Sequence, residues 1–335
     1  MTQTATGSIT GSNLGLLGDS NYFFGIDPLT GQTTAVAALN DITTLAANLT
    51  DRANLFYGDS NGFQVAYVDF NPSGTENDVF IPGIRLAGSD NTRPSGSLNL
   101  QTLDGAATLA GFSGIQLTAS GNVYAPGGQT TFRALTGGNQ YDLLGTFGGG
   151  LAPGHLEVAE NITIVVQDPT TAAGVAGTRF TMQEGIHVFA GMNDNLSGFT
   201  GTTDDSGRGV VTIIANNMTL GEDTNPAVTM DGIIMTGNIN QSGTIREGSG
   251  VFLSSHGTSA GGAVPNLLRG VQIVSPKADY AVTPDPGFLQ LTSAELGRVN
   301  SNRLQIRSSF RDDGGIPISP AVDVRTALSL DAFIS

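Results

Sequence analysis

Carboxylates gathered in turns are the residues best suited to chemistry in this chain. Asp69 and Asp78 bracket one polar run, Asp194 sits between Asn193 and Asn195, and Asp204-Asp205 and Asp312-Asp313 form two adjacent pairs. Turns of this kind offer the side-chain and backbone oxygens that Ca2+ takes, about six to eight at a time. These aspartates are the candidate metal ligands, with calcium as the one cofactor expected. None of the four loops carries the EF-hand or the Gly-Gly-x-Gly-x-Asp pattern, and at each of them a solvated turn closed by Asx hydrogen bonds is the competing reading.

Other reactive types are sparse. His155, His187 and His256 lie far apart among glycines and aliphatics, with no second histidine at metal-ligand spacing and no evident orienting partner. Gly111 to Ile115 and Gly248 to Gly250 fail the Gly-x-Ser-x-Gly spacing of a nucleophile elbow. The glycine clusters at 127–128, 148–150 and 261–262 lack the Gly-Lys ending of a phosphate loop, and the only lysine is Lys277. Paired carboxylates of a polysaccharide-active enzyme need not be close in sequence, but with no tryptophan and six tyrosines the platforms for sugars are thin. No residue qualifies as catalytic, and the chain reads as a non-enzyme.

The elements that must position these residues are strands. Apolar residues alternate at Leu98/Leu100, Ile115/Leu117, Ile162/Ile164/Val166, Ile186/Val188/Ala190, Val211/Ile213/Ala215, Val251/Leu253, Val271/Ile273, Leu289/Leu291 and Leu304/Ile306. Period two means strands with one buried face. Strand starts at 211, 228, 251, 271, 289 and 304 are 17, 23, 20, 18 and 15 residues apart, compatible with a parallel β-helix or solenoid, or with a sandwich of long loops. The fold class is all-β, with long glycine-rich loops (47 glycines) and few short helices.

Two helical bids are short: Thr292 to Glu295 has capping-box spacing, and Asp323 to Ile334 suits a final amphipathic turn. A third, over Val36, Leu39, Ile42, Leu45 and Leu49, has helical spacing but is weakened by its threonines. The division falls at residues 88–97. It gives an N-terminal β-rich region, 1–90, and a main β domain, 91–335. Residues 1–14, polar and strand-compatible, form a candidate assembly or strand-exchange segment.

A net charge of −15, from 14 basic and 29 acidic residues, argues against nucleic acid as a partner. No run approaches the ~18 apolar residues of a membrane span, so no membrane insertion is expected. No cysteine is present, which excludes disulfides and thiolate zinc sites.

The stretches Val210 to Leu220 and Ile233 to Ile245 resemble the strand-and-turn phrasing of filamentous-haemagglutinin-like β-helical surface proteins. Leu330 to Ser335 is similar to the acidic-then-hydrophobic ending of type I secretion substrates, though the calcium-binding nonapeptides of those proteins are absent. The resemblance implies an extracellular or cell-surface location, reached by type I-like export in the absence of an N-terminal signal. The function expected is a self-assembling structural or adhesive protein (filament, sheath or surface-layer subunit), with copies of itself as partner and a surface glycan as a further candidate. A virion part such as a tail fibre, spike or capsid decoration is the alternative, and a β-helical polysaccharide-active enzyme the third reading.

Overall fold

In this computed structural model the described residues are 1–70, 80–86, 96–103, 114–118, 121–125, 129–134, 140–143, 155–158, 161–166, 179–183, 186–190, 209–215, 217–222, 233–236, 250–255, 270–274, 288–301, 303–308 and 322–324. Residues 140–143, 155–158 and 322–324, with single strand positions such as His187 and Phe189, are described by backbone and register alone.

Strands dominate. The N-terminal part holds β1 (Thr10–Gly18), β2 (Tyr22–Phe24), β3 (Asp41–Leu49), β4 (Leu55–Asp59), β5 (Phe63–Val65), β6 (Tyr67–Asp69), β7 (Phe80–Pro82) and β8 (Ile84–Leu86). The middle holds β9 (Leu98–Thr102), β10 (Gly114–Leu117), β11 (Val123–Ala125), β12 (Thr130–Ala134), β13 (Gln140–Leu143), β14 (His155–Val158), β15 (Asn161–Val166), β16 (Arg179–Gln183), β17 (His187–Ala190), β18 (Val210–Ile214), β19 (Asn217–Glu222) and β20 (Ile233–Thr236). The last strands are β21 (Gly250–Ser255), β22 (Gly270–Val274), β23 (Phe288–Thr292), β24 (Val299–Asn300), β25 (Leu304–Ser308) and β26 (Val322–Val324).

Among the described strands pairing is parallel except in the β6–β7 hairpin. From β9 to β21 each strand lies beside the strand three places on: β9–β12–β15–β18–β21 in one sheet, and β10–β13–β16–β19 and β11–β14–β17–β20 in the other. Strand β3 joins the two arms of the larger sheet, because Thr44 and Leu45 pair with β5 while Ala47 to Leu49 pair with β8. The all-β expectation holds.

Alternation fixes which side chains meet. Leu55, Leu98, Thr130, Ile162, Val211 and Val251 stack in register, as do Tyr57, Leu100, Phe132, Ile164, Ile213 and Leu253. All are buried, and the apolar ones belong to a single core cluster enclosed by the sheets. Outward-facing positions of the same strands include Thr131, Thr163 and Thr212.

Two expectations change here. The helical reading of residues 36–49 gives way to a 3-10 turn, Ala35–Leu39, followed by the strand β3. Thr44 to Ala47 are all buried because the β6–β7 hairpin packs Val68 and Ile81 on Ala46 from outside, which erases the alternation of a strand. The C-terminal turn is replaced at its start by β26; residues 325–334 lie outside the described residues.

The capping box does form. Helix α1 (Ser293–Leu296) begins at Thr292, whose hydroxyl accepts from Glu295 N at 3.1 Å, and Glu295 is buried. Its Oε1 accepts the Leu220 amide of β19 at 2.9 Å, and its Oε2 the Thr292 amide at 2.9 Å. Next to this contact the regular order breaks, and the final sheet runs β23–β22–β26. The division proposed at 88–97 falls largely outside the described residues; across it β4 pairs with β9 and β8 with β11.

Candidate functional site at the N-terminal edge

Residues 1–18 lie across the start of both large sheets. Thr2 bridges Phe23 in parallel, with Phe23 N donating to Met1 O at 2.9 Å and Gln3 N to Phe23 O at 3.1 Å. The Met1 ammonium donates to Asn21 O. After a turn, β1 runs in register with β3, from Thr10 beside Asp41 to Gly18 beside Leu49. The segment expected to be exchanged, 1–14, is thus paired within its own chain.

Among the described residues β1 pairs with no strand besides β3, and Leu17 O accepts the Tyr22 hydroxyl at 2.9 Å. Leu16 is its one buried residue, and Leu17 is half-exposed. The sequence Thr10 to Gly18 contains no charge and no proline, the features that ordinarily guard an edge strand. Beside it, the β6–β7 hairpin carries a stacked pair, Tyr67 and Phe80, with centroids 5.6 Å apart, both rings half-exposed. Phe70 lies so close over Gly15 that a Cβ there would fall 2.0 Å from the ring. Glycine at 15 is what lets the hairpin sit against β1.

A polar node holds this end together. Asn40, fully buried, pairs reciprocally with Gln3: Gln3 Nε2 donates to Asn40 Oδ1 at 2.6 Å and Asn40 Nδ2 to Gln3 Oε1 at 3.1 Å. Its Oδ1 also accepts from Ile9 N at 3.1 Å, and its Nδ2 donates to Gly58 O at 2.8 Å. One side chain therefore ties segment 3–9 to β4. Asp59, 0% exposed, accepts from the Tyr57 hydroxyl at 2.5 Å and Ile42 N at 3.2 Å on Oδ2, and from Asn61 N at 2.9 Å on Oδ1.

Burial pushes the Asp59 carboxyl up to about 7, against the lowering effect of its donors, and nearby Asp41 adds to the rise. The same burial, with Asp59 as neighbour, raises the Tyr57 hydroxyl well above its ordinary value. A carboxyl sealed in this way can hold or release a proton, but it offers no approach to a substrate. Its chemistry is that of a pH-sensitive strut.

Of the candidate calcium ligands, only Asp69 is described; it ends β6 and is exposed. Asp78, Asp194, Asp204, Asp205, Asp312 and Asp313 lie outside the described residues. Among the described residues no three or more acidic or histidine side chains gather into a metal-binding group. His155 and His187 occupy β14 and β17, and His256 lies outside the described residues. No described helix is long and apolar enough to cross a membrane.

Gln3, Asn40, Tyr57 and Asp59 escaped the sequence reading, since each looks like an ordinary turn or strand residue until distant segments pair. The one available signal was Asn40-Asp41, a polar pair within an otherwise apolar pattern. Comparison with family models, curated proteins and solved structures finds no match to this chain.

Proposed function

We propose that the chain is a parallel β-helix whose role is structural: a self-assembling extracellular or cell-surface subunit of a filament, sheath or surface layer, with copies of itself as partner. The three-place parallel pairing supports the helical winding, since each winding would contribute one strand to each of three faces. The observation that carries the functional reading is the uncharged strand β1, nine residues long, whose edge away from β3 pairs with no strand among the described residues. Unpaired backbone N–H and C=O groups along such an edge are satisfied when a neighbouring chain adds a strand. A strand from the far end of another copy makes the contact head-to-tail, and a head-to-tail contact that does not close propagates as a filament.

Calcium is the proposed trigger, because a net charge of −15 opposes association between copies until it is neutralised. No catalysis is required of this role.

Negative-stain electron microscopy and sedimentation of the purified protein, with calcium and with chelator, test the reading. Open filaments or sheets are expected for the wild type, and Asn13→Lys with Leu17→Lys on β1 should reduce them to single subunits while leaving the circular dichroism spectrum intact. Monomers or closed trimers under all conditions would overturn it and favour the virion alternative. Filaments unaffected by the lysines would place the contact elsewhere.

A further inference from the structure

Residues 40–42, at the start of β3, are shared between two sets of contacts. On one side they hold the N-terminal segment: the Asn40 side chain bonds Gln3 and the Ile9 amide, Asp41 N donates to Ile9 O at 2.9 Å, and Asp41 pairs with Thr10 at the start of β1. On the other they meet the end of β4. Ile42 N donates to Asp59 Oδ2 at 3.2 Å, and Ser60 donates to Asn40 O through its amide at 2.9 Å and its hydroxyl at 2.6 Å. Any displacement of residues 40–42 away from Asp59 therefore loosens residues 3–10 as well.

Asp59 is the group on which this junction turns. It is fully buried, and its side-chain partners are neutral: the Tyr57 hydroxyl and the Ile42 and Asn61 amides. Register places Thr102 of β9 beside it, uncharged and equally buried. The titratable groups that face it are Tyr57 on β4 and Asp41 on β3, and the second carboxyl opposes a charge on the first. A buried carboxylate that no cation balances is costly, and admitting water relieves the cost.

We propose that Asp59 is a pH latch for the N-terminal segment: protonated, it lets β4 close on residues 40–42 and seats residues 3–18 against β3, and ionised, it loosens that junction and the segment with it. The carboxyl is raised from 3.8 to about 7 in the closed junction, and it returns toward the lower value once water enters. Opening is therefore favoured about tenfold more for each pH unit gained between the two values. The latch is tight in acid and fully loosened only above about 7. With β1 as the assembly edge, assembly is tied to acid; that consequence rests on the structural reading proposed above, whereas the latch itself does not.

The test is hydrogen–deuterium exchange of the full chain at pH 5 and pH 8, corrected for the intrinsic rate. Amides of residues 3–18 should exchange at least about tenfold faster at pH 8. Because the opening is local, the amides of β15 should remain slower than these at both values. Asp59→Asn, which cannot ionise, should remove the quickening, and the wild-type comparison with β15 decides the matter if that variant does not fold. No quickening in the wild type, quickening retained in Asp59→Asn, or one common rate for residues 3–18 and β15 would overturn the latch. Sedimentation at the same two values reads assembly separately. Quickened exchange in a protein that stays monomeric would support the latch and count against the filament reading.

Discussion

The Tyr57 hydroxyl donates to Asp59 Oδ2 at 2.5 Å inside the N-terminal end of the core, where neither side chain reaches solvent. Tyr57 is held from its other side by an edge-on contact with Phe63, with centroids 5.4 Å apart. The carboxyl that completes this arrangement is raised from an ordinary 3.8 to about 7, so folding favours its protonated form. Between these two values the native state binds more protons than the unfolded chain, and stability falls as pH rises. The contribution is fully present below pH 3.8 and lost above about 7, a difference of about 4 kcal/mol at 1.36 kcal/mol per unit. Urea unfolding at pH 5 and pH 8 should show the wild type weaker at pH 8, with Asp59→Asn removing most of the difference. An unchanged difference in the variant would mean that another group governs the slope.

Asn40 is the next point of control, because its side chain serves Gln3, Ile9 and Gly58 at once. Asn40→Ala leaves the Gly58 carbonyl and the Ile9 amide without these partners, at a cost of about 1–3 kcal/mol. Gln3→Ala removes only the reciprocal amide pair and should cost less. Hydrogen–deuterium exchange should therefore quicken across residues 1–18 in the order wild type, Gln3→Ala, Asn40→Ala. Equal exchange in all three would show that backbone pairing with β3 and Phe23 holds the segment unaided.

How far the sequence reveals this fold depends on what period two encodes. The alternation in Ile162/Ile164/Val166 or Val211/Ile213 specifies a strand and its buried face, and the structure bears both out. It does not specify a neighbour: that β15 lies beside β12 and β18 depends on how the intervening residues turn. Strand β3 shows the opposite failure. With Ala46 covered by Val68 and Ile81, its burial runs unbroken from Thr44 to Ala47, so its apolar spacing imitates a helix. At the candidate site, Asn40 and Asp59 are buried because segments distant in sequence close over them, a property of the tertiary pairing that leaves no mark in local composition. The Thr292–Glu295 box was legible because both partners lie within one turn.

Glu295 does more than cap α1. Its carboxyl group accepts from the Leu220 amide of β19 and the Thr292 amide, so one residue ties β19 to the start of the helix. Glu295→Ala should cost about 1–3 kcal/mol, because it leaves the Leu220 and Thr292 amides without their acceptor. Glu295→Gln keeps one acceptor and should fall between. Thermal unfolding of both variants checks the order, and a Glu295→Ala protein as stable as the wild type would mean that water replaces the carboxylate.

Gly15 and Phe70 offer a steric test free of backbone strain. The contact calls for glycine through space alone, since a Cβ would fall 2.0 Å from the Phe70 ring. Gly15→Ala must therefore displace the ring or the β6–β7 hairpin, at about 1–3 kcal/mol. Phe70 is partly exposed, so Phe70→Ala alone should cost little. If the clash is the whole cause, adding Gly15→Ala to Phe70→Ala should have almost no further effect, and the double-mutant cycle should return a coupling close to the single Gly15→Ala cost. Additive losses would instead place the cost in β1 itself, because the strand would then suffer from alanine with the ring already gone.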